Sequence, residues 1–450
     1  MEFYFAWPSR IGLKRFSIYL LFLINLIVIF WFWSDRSNYY ISNSSTPGNT
    51  YIAFGRIAGL LGEYFLLIQL VLIGRIRWFE HLFGFDRLNQ AHRLIGYSIL
   101  SLLVAHPILL IVGNSISNNV SMYSQLGDYL ANKSNILLAF FALGIFIYIV
   151  FLSIIIVKKK LRYETWYITH LLTYLAIGLA LAHQFGTGDL RDGQPLYYWY
   201  VLNYAVFGFV LIYRFLRPLA LFFRHRFVIQ NVVKESDNVC SIYVVGRNMH
   251  KFEFKSGQYA NINILARGMR YSHPFSFSDA YNGRYARFSI KNCGDFTSKI
   301  SQIQPGTKLV IDGPLGMFVD EIAERDKFLL IAGGIGITPL LAMLKSLAWK
   351  HKDVALLYGA RTDKDLVFKR EIEDVVRQYE NISVHYILSE ETAEYEYGYI
   401  DSDKITRLVP DYQSREIFLC GPPLMMESVN NNLKSIGFSQ EYIHYEKFSF

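Results

Sequence analysis

Along the 450-residue chain the hydrophobic pattern changes period twice. In the first half, apolar residues come in long runs. Residues 16–34 carry no charge, and five further runs follow at roughly 56–74, 92–113, 136–157, 166–183 and 196–213. Each is long enough to cross a bilayer core as a helix. The first run has no small-residue cleavage site, so it reads as an anchor and not as a removable signal. After Arg217-Pro218 the runs shorten and alternate. Residues 227–233, 239–245 and 259–265 are β-branched or aromatic and are broken by Asp-Asn and Ser-Gly, which predicts antiparallel strands in a small β-barrel. From Asp326 onward, strand-like runs (354–358, 383–388, 416–420) alternate with helical periodicity, which predicts a parallel sheet with crossover helices. The expected fold class is multi-domain: a six-helix transmembrane bundle over 1–222, an antiparallel β-barrel domain over 223–322 and an α/β parallel-sheet domain over 323–450.

Charge then orients the bundle. Arg10, Lys14 and Arg15 precede the first run; Arg75, Arg77, Arg87 and Arg93 lie between the second and third. Lys158, Lys159, Lys160 and Arg162 lie between the fourth and fifth, and Arg214, Arg217, Arg224 and Arg226 follow the sixth. The other connections hold far fewer cations. The positive-inside rule therefore places both termini in the cytoplasm. This distribution accounts for the net charge of +8 without a nucleic-acid partner. Three cysteines, Cys240, Cys293 and Cys420, have no framework spacing, so no disulfide is expected. Asn43 and Asn132 begin Asn-x-Ser sequons in the connections assigned to the outside.

Two features carry candidate chemistry. The first is four histidines: His92 and His106 in the third run, His170 and His183 in the fifth. A single histidine in a membrane helix is commonly a hydrogen-bonded packing residue, but polar groups are costly in lipid and two pairs point to function. Both runs cross from inside to outside, so His92 and His170 share the inner level and His106 and His183 the outer. Fourteen residues separate the first two, about four turns, so these share a helix face. Thirteen separate the second two, about 3.6 turns, so the fifth helix is expected to be irregular or tilted, with Gly178 as the candidate position for an irregularity. Two cross-helix pairs at two depths suit two six-coordinate haems, and bis-His ligation suits electron transfer because no axial position is left open.

The second feature is the stretch from Leu329 to Leu340. A strand-length apolar run ends in Gly333, Gly334 and Gly336, and a helical pattern opens at Thr338-Pro339. Thr338 is the expected N-cap and Pro339 sits in the first turn. Such a turn brings backbone N–H groups to a phosphate, although an ordinary tight turn has the same composition, and the spacing is not that of the Rossmann fingerprint.

His-x13-His and His-x12-His resemble the ferric reductase transmembrane domain in the spacing of NADPH oxidases. The resemblance implies two b haems with His92, His106, His170 and His183 as iron ligands. Arg56, seven residues before Glu63 on one helix face, is by the same resemblance a residue facing the outer haem and the acceptor; it is also placed to reach the lipid interface. Glu63, deeper in the same run, reads as a protonated, hydrogen-bonded carboxyl with no assigned role. Tyr271 to Ser278 resembles the flavin motif of the ferredoxin–NADP reductases. The resemblance implies that Ser276 bonds the flavin N5 region and that His273, Pro274 and Phe275 line the rings and ribityl chain. Lys291 to Ser298 resembles the second flavin segment, where Gly294 and Thr297 serve the FAD pyrophosphate and Lys291 adds charge. Gly333, Gly334, Gly336, Thr338 and Pro339 resemble the nicotinamide-nucleotide motif. Cys420-Gly421-Pro422 resembles the turn that brings a thiol to the nicotinamide, although Cys420 also suits a buried strand end. Arg361, after the second strand of the sheet, is placed for a 2′-phosphate and so for NADPH. Phe450 is implied as the aromatic cover of the flavin.

Together these imply an NAD(P)H-dependent flavohaem oxidoreductase of the plasma membrane that passes electrons from NADPH through FAD and two haems to an outer acceptor. The acceptor expected is O₂, giving superoxide. A ferric chelate or a partner redox protein is the alternative, and a degenerate membrane scaffold is opposed by the complete motif set.

Overall fold

The computed structural model describes residues 10–157, 163–185, 188–269, 271–392 and 395–446. Phe450 and the cations Lys158, Lys159, Lys160 and Arg162 lie outside the described residues. The chain forms two compact units, Met1–Arg214 and Phe215–Phe450.

The first unit is helical: α1 (Arg10–Arg36), α2 (Asn38–Ser42), α3 (Asn49–Ile73), α4 (Arg77–Phe83), α5 (Phe85–Ser117), α6 (Met122–Asn132), α7 (Ile136–Val157), α8 (Tyr163–His170), α9 (Leu172–Gln184) and α10 (Gly193–Val210). Six helical stretches among the described residues are long and apolar enough to cross a membrane. Several run past the apolar runs that predict them. Arg56 therefore sits two turns inside α3, not at its end, because Asn49 to Gly55 extend the helix beyond the cation. The close pair in this unit is α3 and α5. Without side chains at Gly48, Gly55, Gly59 and Gly113 the two backbones approach closely, as small residues allow in membranes. A Cβ on Gly113 would meet Ile52 and the Gly48 carbonyl, and one on Gly59 would meet the ring of His106.

The second unit begins with α11 (Arg217–His225), reached from α10 through one π-helical turn at Leu211–Leu216. Strands β1 (Val228–Ser236), β2 (Val239–Val245) and β5 (Ala286–Lys291) form one antiparallel sheet; β4 (His273–Ser276), β3 (Tyr259–Ile264) and β6 (Leu309–Leu315) form another. Single bridges, Val228 to Lys308 and Phe277 to Phe288, join the outer strands of the two sheets. Their shared core contains Phe227, Ile242, Ile262, Phe277, Phe288 and Ile311, the inward positions of the alternating pattern. A parallel six-stranded sheet follows, in the order β10-β9-β8-β7-β11-β12. Its strands are β7 (Lys327–Gly333), β8 (Asp353–Ala360), β9 (Ile382–Leu388), β10 (Glu396–Tyr397), β11 (Glu416–Cys420) and β12 (Ile443–Glu446). Helices α12 (Ile337–Trp349) and α13 (Lys369–Gln378) pack with one apolar cluster of this domain, and α15 (Pro423–Ser435) and α14 (Ser402–Leu408) with another. Chain order turns back between β7 and β11, which makes their C-terminal ends the topological switch point where ligands of open α/β sheets bind.

Candidate functional site

In the helical unit the four histidines meet as two pairs. The rings of His92 and His170 have centroids 6.2 Å apart, and those of His106 and His183 are 6.4 Å apart. Two imidazoles that each bind one metal ion through a nitrogen at roughly 2 Å have centroids roughly 6 Å apart. Both pairs are thus spaced to hold one metal ion between their rings. Nδ1 of His106 lies 2.8 Å from the Gly55 carbonyl, and Nδ1 of His183 bonds the Ala180 carbonyl. A carbonyl partner puts the proton on Nδ1 and leaves the lone pair on Nε2, the tautomer a metal requires. Nδ1 of His92 and of His170 is buried and without a hydrogen-bond partner, so the inner pair lacks the carbonyl that fixes the tautomer of the outer one. The fifth crossing is irregular at Leu171 and not at Gly178. Directly after His170 the turn between α8 and α9 is reorganised at Leu171, whose N–H is shared between two carbonyls while its backbone stays right-handed helical. Gly178 lies in an unbroken stretch of α9, where a Cβ would meet nothing within 4 Å.

Arg56 is held by a carboxylate. Its Nη2 lies 2.6 Å from Asp189 Oδ1 and its Nε donates to Asp189 Oδ2 at 3.1 Å, a bidentate pair. Ser37 donates a further bond to Asp189, and the guanidinium stands 5.4 Å from the ring centre of Tyr40. The pair is nearly closed to solvent, with side-chain exposures of 15% and 3%.

In the second unit the flavin-like strand β4 is an edge strand, where a proline is tolerated. Strand alternation splits its motif. His273 and Phe275 share a face with Phe296, at centroid distances of 4.1 Å and 6.1 Å; Pro274 and Ser276 point the other way. Ser276 Oγ is buried without a hydrogen-bond partner, as a hydroxyl reserved for a bound group would be. Thr297 is used differently from the implied role. Its Oγ1 accepts from the N–H groups of Cys293 and Gly294 and donates to the Gly294 carbonyl, so its proton and the Gly294 donor are spent inside the loop. Gly294 itself borders open space, and Lys291 is exposed at the end of β5.

At the switch point the two glycine turns are interlocked. A Cβ on Gly336 would collide with the Cys420 carbonyl and the Gly421 nitrogen, and one on Gly333 with Met425 and Pro422. Gly334 has φ +51 and faces open space, so it is the exposed tip of the turn. The helix starts at Ile337 with Gly336 as N-cap, not at Thr338, because Gly334–Gly336 already form a 3-10 turn. Thr338 is buried and its hydroxyl donates to the Ile335 carbonyl; Pro339 remains in the first turn. Cys420 is fully buried in the apolar cluster with Phe318 and Phe418. Burial, with Glu446 alongside, pushes its thiol well above the ordinary value and keeps it neutral. Arg361 is exposed, stands 3.7 Å from Asp365, and borders a cavity of about 260 Å³ with Asp237, Lys364 and Glu390.

A buried ionic network joins the antiparallel domain to the nucleotide domain. Arg287 on β5 is 2.9 Å from Glu371 on α13, Lys345 on α12 is 2.7 Å from Asp279 and also bonds Glu371, and the Tyr285 hydroxyl donates to Asp279 at 2.7 Å. Burial works against the Asp279 charge, but Arg287 and Lys345 outweigh it and hold the carboxyl below its ordinary range.

Three family models match in series. Residues 58–181 match the ferric reductase like transmembrane component, 222–318 an FAD-binding domain, and 330–431 the oxidoreductase NAD-binding domain. This is the architecture of NADPH oxidases and ferric reductases. The chain is an integral multi-pass membrane protein whose second half carries FAD-binding and oxidoreductase NAD-binding domains. A glycine betaine monooxygenase reductase subunit of Chromohalobacter salexigens is 29% identical over 50% of this chain and 64% of its own. A flavohemoprotein of Bacillus cereus is 30% identical over 49% of this chain and 60% of its own. The match thus spans about three fifths of the length of these curated relatives. The FAD/NAD-binding domain of a nitric oxide dioxygenase from Vibrio cholerae is 28% identical, covers 49% of this chain and 97% of that one, and superposes with a TM-score of 0.44.

Sequence reasoning missed Asp189, Ser37 and the Arg287 network. Their partners are up to 152 residues away and no spacing rule links them. Gly55 and Gly59 were legible only as small residues in an apolar run, not as the floor beneath His106.

Proposed function

We propose that this chain takes a hydride from NADPH onto FAD and passes single electrons through two b haems to O₂ on the outer face, producing superoxide. The observation that carries the reading is the two facing histidine pairs, at two depths of one bundle, each spaced so that it would hold one metal ion between its rings. Between those rings haem would supply one-electron carriers, and at β4 flavin would split the hydride pair. The protein's own residues do the rest. Gly55 and Ala180 set the tautomers of His106 and His183. Ser276 offers its unpaired hydroxyl to the flavin. The turn Gly333–Gly336 presents backbone donors to the nucleotide pyrophosphate, and Arg361 the charge for its 2′-phosphate. We place the domain boundaries at residues 222 and 322, and both termini in the cytoplasm from the loop cations.

The state of Arg56 supports O₂ over a ferric chelate. Its charge is neutralised by Asp189, so it offers little attraction to an anionic complex. The reductase subunit among the relatives supports the second reading, in which the acceptor is a partner redox protein. Oxygen consumption and superoxide formation by membranes supplied with NADPH test the first reading. Ferrous-dye reduction that superoxide dismutase leaves unchanged, without oxygen uptake, refutes it.

A further inference from the structure

We propose that Glu63 is the proton acceptor for the electron that reaches the His106–His183 pair, a role that rests on the two-haem reading above. Glu63 is 4% exposed inside a membrane-spanning helix, where an ionisable side chain is expensive and marks function by default. It lies four residues from Gly59, the residue against which His106 packs, so the two share a face of α3. Its carboxyl bonds the side chain of Gln184, the residue after His183. Gln184 Oε1 accepts from Trp199 Nε1 at 2.9 Å, so the amide NH₂ is the end turned to Glu63. The other carboxyl oxygen, Oε1, is buried with no hydrogen-bond partner, and one turn beyond Trp199 the buried Asn203 Oδ1 is likewise unpartnered.

The neighbouring charges do not neutralise Glu63. Arg56 on the same helix is paired with Asp189. Tyr64 donates to the Phe22 carbonyl and Tyr198 to Asn25. The titratable groups on α5 and α9 at this level are His106 and His183, whose Nδ1 atoms are engaged by Gly55 and Ala180. A negative charge arriving nearby in a low-dielectric interior strengthens the hold of such a carboxyl on a proton, and an arriving electron is such a charge. In the pH range where Glu63 is ionised with the pair oxidised and protonated with it reduced, one proton from water would join the carboxylate for each electron that enters between the rings, and the net charge of the site is unchanged. When the electron leaves to the acceptor, the proton returns to water.

The test is spectroelectrochemical titration of the full haem-loaded protein over a pH series from mildly acidic to mildly alkaline. The outer component is identified as the one lost in His183→Leu. Its midpoint potential is expected to fall with pH, by up to 59 mV per pH unit for one electron and one proton. The fall is confined between the Glu63 pKa values with the pair oxidised and reduced; the inner component stays flat. Glu63→Gln keeps the shape and removes the slope. A flat outer component in the wild type, or a slope retained in Glu63→Gln, overturns the proposal. If that variant does not assemble, redox-difference infrared spectra of the wild type decide: a carboxyl band that grows on outer reduction supports it, and none overturns it. Failure of the two-haem reading shows separately, as a haem count other than two.

Discussion

Gly59→Ala is the smallest change that should separate the two histidine levels. An added Cβ at this position falls 2.5 Å from His106 Nδ1, 2.7 Å from Cε1 and 3.2 Å from Cγ. Ordinary contacts between such atoms are roughly 3.5–4.0 Å, so the ring must retreat by about 1 Å. It cannot do so freely, because its Nδ1 is held by the Gly55 carbonyl at 2.8 Å on the same helix. Overpacking a tight site costs about 1–3 kcal/mol, and a lost hydrogen bond about 0.5–1.5 kcal/mol. The sum, about 1.5–4.5 kcal/mol, corresponds to a loss of about tenfold to a thousandfold in affinity for a group bound at His106, at 1.4 kcal/mol per decade. The assay is haem content by pyridine haemochrome with potentiometric resolution of the two components. The outer component should be depleted or shifted and the inner unchanged. Gly178→Ala, whose Cβ meets nothing within 4 Å, is the control and should keep both. Two haems of unaltered potential in Gly59→Ala would refute the assignment of His106 as a ligand held by α3.

Other outcomes follow from the same geometry. His183→Leu should lose the outer haem and largely spare NADPH-driven flavin reduction, read by stopped-flow bleaching of the flavin. Arg361→Ala should narrow the NADPH-to-NADH preference, chiefly in KM, by about tenfold; the side chain is 64% exposed and shared with Asp365, which places it near the weak end of charge-assisted contacts. Equal weakening of both coenzymes would make it structural. Arg287→Met leaves Glu371 with Lys345 alone and should lower the stability of the flavin–nucleotide module by about 3 kcal/mol, seen as an earlier urea midpoint for FAD release; an unmoved midpoint would contradict the network. Cys420 should resist alkylation in the native protein while exposed Cys293 reacts, as mass spectrometry of labelled thiols would show. Because folding raises the Cys420 pKa, its contribution to stability is complete below the unfolded thiol value of 9.0 and is lost as pH rises beyond it.

The elements were legible wherever one local signal sufficed. Uncharged length defined the crossings, period two the antiparallel strands, and glycines after an apolar run the nucleotide turn. The spacing of the fifth-crossing histidines called for an irregular or tilted helix, yet glycine was the wrong place to look for the irregularity. A helix yields where a turn's bonding is reorganised, and at Leu171 its N–H is shared between the Tyr167 and Ile168 carbonyls. Thr338 looks like a cap because threonine caps helices, but the preceding glycines had already adopted helical geometry. Thr297 shows the limit of motif reading, since a hydroxyl that suits a phosphate equally suits its own loop. The ion pairs of Arg56 and Arg287 were beyond sequence reasoning, because tertiary folding alone brings their partners within reach.

The joint at Leu171 has a consequence for how this architecture tolerates change. Helix α5 runs without interruption through both of its histidines, with Pro107 directly after the second, so they are graduations on one ruler; removing one residue between them rotates one by about 100° and shortens their separation by about 1.5 Å. The opposite rail is jointed beside His170 and can absorb a one-residue insertion by re-forming the turn. Length variation among natural chains of this design should therefore collect on the jointed rail, while the ruler keeps its count. A pair of single-residue insertions, one on each rail, would display the asymmetry in the haem spectrum.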